Sequence, residues 1–272
     1  MFLLKRNSLL LSGLLIFCLM ATACTTVPIT GRKQLAVIPA AQIQNLSRSQ
    51  YDQFLKEHPL SKDAAKTRLV KRVGRQIQQA VEKYFADNNM SERLSGFEWE
   101  FNLVAADEVN AWAMPGGKVV VYEGILPLTE DAVGLAVVMG HEIAHVVARH
   151  GRERMSQKLL VQLGGMALET ALKQNPSLTT NLFMQAYGLG AQTGVILPYS
   201  RVHENEADRL GMIFMAMAGY HPRRAIRFWE KMAAKQEERQ PPEFLSTHPS
   251  DATRIQNMKA NLPEALKYYD AN

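Results

Sequence analysis

The chain has 272 residues, 47% of them hydrophobic and 21% charged, and a formal net charge of +5. That length suits one large domain or a closely joined pair, and the modest charge, with no basic stripe interleaved with aromatics, excludes a nucleic-acid partner. Only Cys18 and Cys24 carry thiols, and no internal repeat or low-complexity block interrupts the chain.

At the N-terminus, Lys5 and Arg6 precede an apolar run from Leu9 to Met20 that is too short to span a membrane and is flanked like a secretory signal. Ala21-Thr22-Ala23-Cys24 is similar to a bacterial lipobox, with Ala21 where leucine is usual. Residues 1–23 are therefore expected to be a lipoprotein signal peptide, and Cys24 the acylated first residue of the mature chain. Thr25, in place of an aspartate, directs such a lipoprotein to the periplasmic side of the outer membrane. Plain cleavage after Ala21 or Ala23, giving a soluble periplasmic protein, is the alternative. Because Cys18 leaves with the signal, no cysteine remains for a disulfide, a thiol nucleophile or a metal, which excludes cysteine hydrolases and disulfide scaffolds. Residues 24–40 read as a tether and 41–272 as the folded domain.

The series Ile43, Leu46, Phe54 and then Leu69, Val73, Ile77, Ala80, Val81, Tyr84 predict two helices packed on that domain. Phe97, Trp99, Phe101 and Leu103 alternate with Glu98, Glu100 and Asn102, the period of a strand with one buried face. Asn110 to Met114 and Lys118 to Tyr122 read as two strands around Pro115-Gly116-Gly117, whose Pro-Gly pair suits a type II turn. An exposed edge of this sheet could bind an extended peptide through main-chain hydrogen bonds, with broad sequence preference. An ordinary core hairpin is the competing reading.

His141-Glu142-Ile143-Ala144-His145 carries the most chemistry. Residues four apart on a helix lie about 6 Å along its axis and about 40° around it, so both imidazoles can point at one ion. Glu142, turned about 100° from His141, suits a carboxylate beside the ion that accepts a proton from water. Ala132, Val133, Leu135 to Met139, Val146 and Val147 make the helix apolar nearly all round, and burying these three polar groups would cost several kcal/mol unless a metal satisfied them. Gly134 and Gly140 suggest a close neighbour, and Thr129 is the expected N-cap, with Glu130 and Asp131 favourable to the dipole. A metzincin extension would need glycine at 148 and histidine at 151, where this chain has Ala148 and Gly151. His150, nine residues after His141, is expected to face the opposite side as a helix-end histidine.

No charged residue lies between Lys173 and Arg201. Leu182, Phe183, Met184, Tyr187, Leu189, Val195, Ile196 and Leu197 make this stretch fairly apolar, but polar residues break it too often for a span. A helical hairpin covering the core is one reading; a lid over the cleft, or a surface touching membrane or substrate, is the other. Beyond it, Glu204 and Asp208 share a helix face, which suits a glutamate ligand with an aspartate holding the second nitrogen of a ligating histidine. His203 is the alternative ligand, and Glu206 should look elsewhere. His-His-Glu leaves the open fourth position of catalytic zinc. His248 stands alone between Thr247 and Pro249, before a helix opening at Ser250-Asp251.

HEIAH followed by Glu204, Ala207 and Asp208 resembles the gluzincin metallopeptidases that include the type 1 CaaX prenyl protease and HtpX. Ser200-Arg201, Gly219-Tyr220-His221-Pro222, Phe228 to Met232 and Ser246-Thr247-His248-Pro249 bring it closer to the Oma-like branch without membrane spans, which includes periplasmic lipoproteins. The resemblance covers residues 26–262. It implies an α+β, mainly helical gluzincin-like fold with a small antiparallel sheet beside the HExxH helix. It further implies a zinc metalloendopeptidase with one Zn2+ per chain on His141, His145 and Glu204, Glu142 as general base and then acid, and His248 steadying the oxyanion. Asn110 and Ala111 match the family's substrate strand. Unfolded or misfolded envelope proteins as substrates, and other periplasmic quality-control proteins as partners, are implied by the same resemblance. A zinc-containing chaperone or assembly factor that binds chains without cutting them is the rival reading, though it would need no Glu142; a zinc-free helical envelope protein is a third.

Overall fold

The computed structural model describes residues 24–163, 176–187, 200–236 and 242–269. The expected signal peptide and residues 174–175 and 188–199 of the uncharged stretch lie outside the described residues.

The first described residues form a hairpin in which β1 (Cys24–Thr26) pairs antiparallel with β2 (Lys33–Leu35). Val27 and Ile38 are fully buried. The stretch 24–40, read as a tether, is thus folded onto the domain: a few apolar side chains and one arginine, described below, dock it. Two amphipathic helices follow where the periodicity predicts them, α1 (Ala40–Glu57) and α2 (Ala64–Asp87). Asp63 caps α2 by accepting from the amides of Ala65 and Lys66.

The central sheet holds β3 (Glu100–Val104), β4 (Ala111–Met114) and β5 (Lys118–Tyr122) in the order β3-β5-β4. The β4–β5 hairpin is antiparallel, but β3 lies parallel to β5, so the sheet is mixed where the sequence suggested an antiparallel one. The hairpin turn is type II: the Gly117 amide donates to the Met114 carbonyl at 3.2 Å, and Gly116 takes φ 85°. Both faces of the sheet are covered. Ala111, Ala113, Val119 and Val121 join a core with α2 and the HExxH helix; Trp112, Met114, Val120 and Tyr122 join a second core beneath α1.

A short helix, α3 (Leu126–Thr129), leads into α4 (Ala132–Val147), the HExxH helix, which is buried from Gly134 to Val147. The cap of α4 is Asp131, which accepts from the Gly134 amide at 2.8 Å, and not Thr129. Thr129 instead closes α3 by donating to the Leu126 carbonyl, and Glu130 at φ 68° turns the chain between the two helices. The chain continues as α5 (His150–Leu163), α6 (Pro176–Ala186), α7 (Arg201–Met217), α8 (Arg223–Gln236), the single turn α9 (Phe244–Thr247) and α10 (Ala252–Leu266). Leu182, Phe183, Ala186 and Tyr187 of the uncharged stretch pack into the second core.

Helices α4 and α7 touch backbone to backbone. A methyl added at Gly140 would meet the Gly211 carbonyl oxygen at 3.1 Å, and one added at Gly211 would meet Gly140 carbonyl carbon at 3.0 Å. This approach, directly beside His141, lets a carboxylate from α7 reach the α4 histidines. Among the described residues no single helix is long and apolar enough to cross a membrane; α4 with residues 150–160 passes only as a pair bent by 50°, and α4 is enclosed by protein.

Candidate metal centre

Four side chains from three segments converge: His141 and His145 on α4, Glu204 on α7, and His248 after α9. One donor atom of each lies within 4.8 Å of all the others, and all four residues are about 2% exposed. The Nε2 atoms of His141 and His145 are 3.0 Å apart. Glu204 Oε1 is 3.3 Å from His145 Nε2, and Oε2 is 3.4 Å from His141 Nε2. A tetrahedral ion with bonds of about 2.0–2.1 Å separates its donors by roughly 3.3–3.4 Å, so these three residues fit zinc in size and in donor type.

The electrostatics agree with a cation at this point. Burial pushes His141 down, but Glu204 and Asp208 outweigh it and would hold the imidazole up at about 9 with no ion present. Burial also opposes charge on Glu204, yet Arg254, His248 and His141 keep its carboxyl well below the usual range. His145 is pushed well below its ordinary value, by burial first and by His141 second, and so presents a neutral imidazole, the form that ligates.

The neighbours of these groups come from α7 and α10. Asp208 Oδ1 lies 2.9 Å from His141 Nδ1, as the shared face of Glu204 and Asp208 suggested. Arg254, which sequence reasoning missed, clasps Asp208 at 2.6 and 2.8 Å and lies 2.8 Å from Glu204 Oε2. Its guanidinium carbon sits 3.4 Å from the centre of the Trp229 ring. The only local signal was Asp251, whose carboxylate accepts from the Arg254 amide and starts α10.

Glu142 is 3% exposed, and among the described residues its Oε1 accepts no hydrogen bond, although His248 Nε2 lies 3.3 Å away. Burial, the largest influence, raises its carboxyl above the usual range. His248 is buried: Phe244 stacks on its ring at 4.7 Å and Trp229 stacks on Phe244. Its Nδ1 lies 3.1 Å from Glu204 Oε1.

His150 departs from expectation. Arg149 takes φ 61°, ending α4, and α5 starts at once in a new direction, so the residue that helical spacing placed on the far side swings back. His150 is fully buried, with Nδ1 2.9 Å from His145 Nδ1 and Nε2 2.9 Å from Glu206 Oε2. Burial pushes it down to about 4. His203 turns away from the cluster and contacts Glu153 at 3.0 Å.

A narrow cavity joins the centre to the sheet, lined by Ala111, Trp112, Glu142, Tyr187, Thr247 and His248. Asn110 and Ala111 therefore stand beside Glu142. Although β4 is the edge of the sheet, its four residues are buried, not exposed.

Residues 71–262 match the model of peptidase family M48. The chain is 34% identical over 201 residues to the mitochondrial metalloendopeptidase OMA1 of Saccharomyces cerevisiae, an alignment covering 71% of this chain and 55% of that protein. It is 31% identical over 265 residues to the OMA1 metalloendopeptidase of Homo sapiens, covering 94% and 49%. To the β-barrel assembly-enhancing protease of Escherichia coli it is 33% identical over 168 residues, covering 58% and 33%. The chain spans about half the length of the OMA1 relatives. The matched segment contains every residue of the centre, from the HExxH helix to Arg254, and the chain belongs to peptidase family M48.

Proposed function

We propose that this protein is a zinc endopeptidase that cuts extended segments of unfolded or damaged envelope proteins, held by a lipid on Cys24 at the periplasmic face of the outer membrane. The observation that supports the catalytic part is the convergence of His141, His145, Glu204 and His248 beside a buried Glu142 oxygen that accepts no hydrogen bond among the described residues. His141, His145 and Glu204 would hold the ion, and its fourth position, on the side of His248, would go to water or substrate once the His248 ring turns toward Glu142. Zinc bound there would polarise a peptide carbonyl and lower the pKa of water toward about 7.

Glu142 takes the proton of the attacking water; the upward push on its carboxyl brings it nearer the range in which one group can accept a proton and then give it up. It passes that proton to the departing amine nitrogen. His248 Nε2, on the same side as Glu142, donates to the carbonyl oxygen as that oxygen gains charge. Asp208, steadied by Arg254, keeps the His141 ring oriented. Asn110 and residues 111–113 of β4 pair with the substrate main chain, and because the cavity is narrow, an entering peptide displaces Tyr187 while His248 stays beside Glu142. One relative is named for enhancing β-barrel assembly, which supports placing the substrates among envelope proteins.

The test is casein hydrolysis by the parent and by Glu142→Gln, with zinc measured in both. The expected result is one zinc per chain in each and a fall in kcat of about 10²- to 10⁴-fold in the variant. Zinc in both without hydrolysis in the parent would move the assignment to a chain-binding protein. Loss of a palmitate label and of membrane sedimentation in Cys24→Ser would support the anchor.

A further inference from the structure

We infer that Arg32, from the N-terminal hairpin, is a positioning residue for the metal ligand His145, acting through Glu206 and His150. The inference rests on His145 being a ligand.

With Nε2 turned to the ion, His145 must carry its hydrogen on Nδ1. The atom that meets it is His150 Nδ1 at 2.9 Å, which therefore accepts. An imidazole accepting through one nitrogen carries its hydrogen on the other, so His150 Nε2 donates to Glu206 Oε2 at 2.9 Å. One set of pairings thus fixes both rings. It works only while Glu206 stays an oriented acceptor.

Arg32 supplies that orientation. Its Nε donates to Glu206 Oε2 at 2.8 Å, while Nη1 and Nη2 clasp Glu153 at 2.9 and 2.7 Å. The Thr30 hydroxyl donates to the other Glu206 oxygen. Glu153 in turn accepts from His203 Nε2 at 3.0 Å, and the His203 ring stacks on His150 at 4.5 Å with 25° between planes. His150 is therefore held at its edge by Glu206 and on its face by His203, and a single guanidinium orients the carboxylates behind both. Glu153 and Glu206 are 5% and 6% exposed, so without Arg32 two buried carboxylates would share one site and move apart. Arg32 is held by the hairpin, in which the Val27 amide donates to the Arg32 carbonyl at 2.9 Å over a buried Val27 side chain. The hairpin beginning at Cys24 is thereby joined to the back of the metal centre.

The test measures zinc affinity of the full chain by competition with a chromophoric chelator, together with the visible spectrum of the cobalt-substituted protein. Arg32→Ala and His150→Ala are expected to bind zinc about 10- to 100-fold more weakly, with a changed cobalt spectrum and with kcat falling more than KM rises. His150→Gln, whose amide can accept from His145 and donate to Glu206, should recover part of the affinity. If Arg32→Ala fails to fold, Arg32→Lys, which keeps the charge without the fork, takes its place. Zinc affinity and cobalt spectrum unchanged in the folded variants would overturn the inference while leaving the metal site intact. A parent that takes up no zinc would overturn both.

Discussion

The two histidines of the HExxH turn leave the same helix four residues apart, yet their outer nitrogens are held in opposite ways. Behind His141 stands a carboxylate, Asp208, clamped by a buried guanidinium that also faces Glu204. Behind His145 stands another imidazole, then Glu206, then Arg32 at the far end of the sequence. The first arrangement is short and concentrated, so ligand and ligand support depend on the same arginine. The second is distributed over several residues, each carrying part of the load. A short buried charge network should fail abruptly, and a distributed one by degrees.

The largest expected effect falls on the concentrated side. Arg254 is 3% exposed, and Arg254→Ala would leave Asp208 and Glu204 buried without their cation. Loss of one partner from a buried ion pair costs about 3–5 kcal/mol, to be read from urea unfolding of the zinc-free protein. A loss below that of Arg32→Ala would reverse the comparison. Next comes Gly211→Ala, which leaves both networks chemically intact but pushes α7 away from α4, because the new methyl meets backbone at 3.0 Å. Overpacking of this kind costs about 1–3 kcal/mol. Zinc affinity should fall with it, since the α4 to α7 distance sets the reach of Glu204.

What the sequence made legible follows from how local each signal is. His141, His145, Glu204 and Asp208 lie one helical turn apart within their pairs, and Pro115-Gly116 names its own turn, so spacing puts each pair on one helix face, while joining the two pairs into one site took the family resemblance. Arg254 and Arg32 carry no such signal, because their partners are 46 and 174 residues away and only tertiary packing joins them. His150 was misplaced because Arg149, a residue with no glycine-like freedom, takes a left-handed conformation that breaks the helix. The hairpin at 24–35 was hidden by its brevity: three-residue strands show no periodicity. The parallel pairing of β3 with β5 was hidden for a different reason, since alternation reveals which face is buried and not which neighbour is chosen.

On the distributed side the effect should be graded and set by pH. Burial opposes the charge of Glu153, but His203 and Arg32 outweigh it and hold the carboxyl at about 2, against an ordinary 4.5. A group whose folded value lies below its unfolded one stabilises fully above the unfolded value, and that contribution is lost as pH falls through the window between them. The parent should therefore lose stability from pH 4.5 toward pH 2 with a component that Glu153→Gln lacks. The variant should be the weaker protein at pH 7 and approach the parent at the acid end. Parallel acid-unfolding curves would mean that Arg32 and Glu153 do not share a stabilising charge.

The smallest effect should come from the same chemistry moved to the surface. Arg48 and Glu98 meet at 2.8 Å, nearly the 2.7 Å of Arg32 and Glu153, but their side chains are 60% and 56% exposed, against 25% and 6%. Water and salt already screen such a pair, so Arg48→Ala should change stability by no more than about 0.5 kcal/mol and leave zinc affinity unaltered. Residue types and distances are matched, so the contrast weighs burial together with the bidentate grip and the second carboxylate, Glu206, that Arg32 has and Arg48 lacks. If Arg48→Ala proved as costly as Arg32→Ala, the number of ion pairs rather than their burial would govern this protein. The N-terminal hairpin would then be holding charge in general, and not the back of a metal ligand.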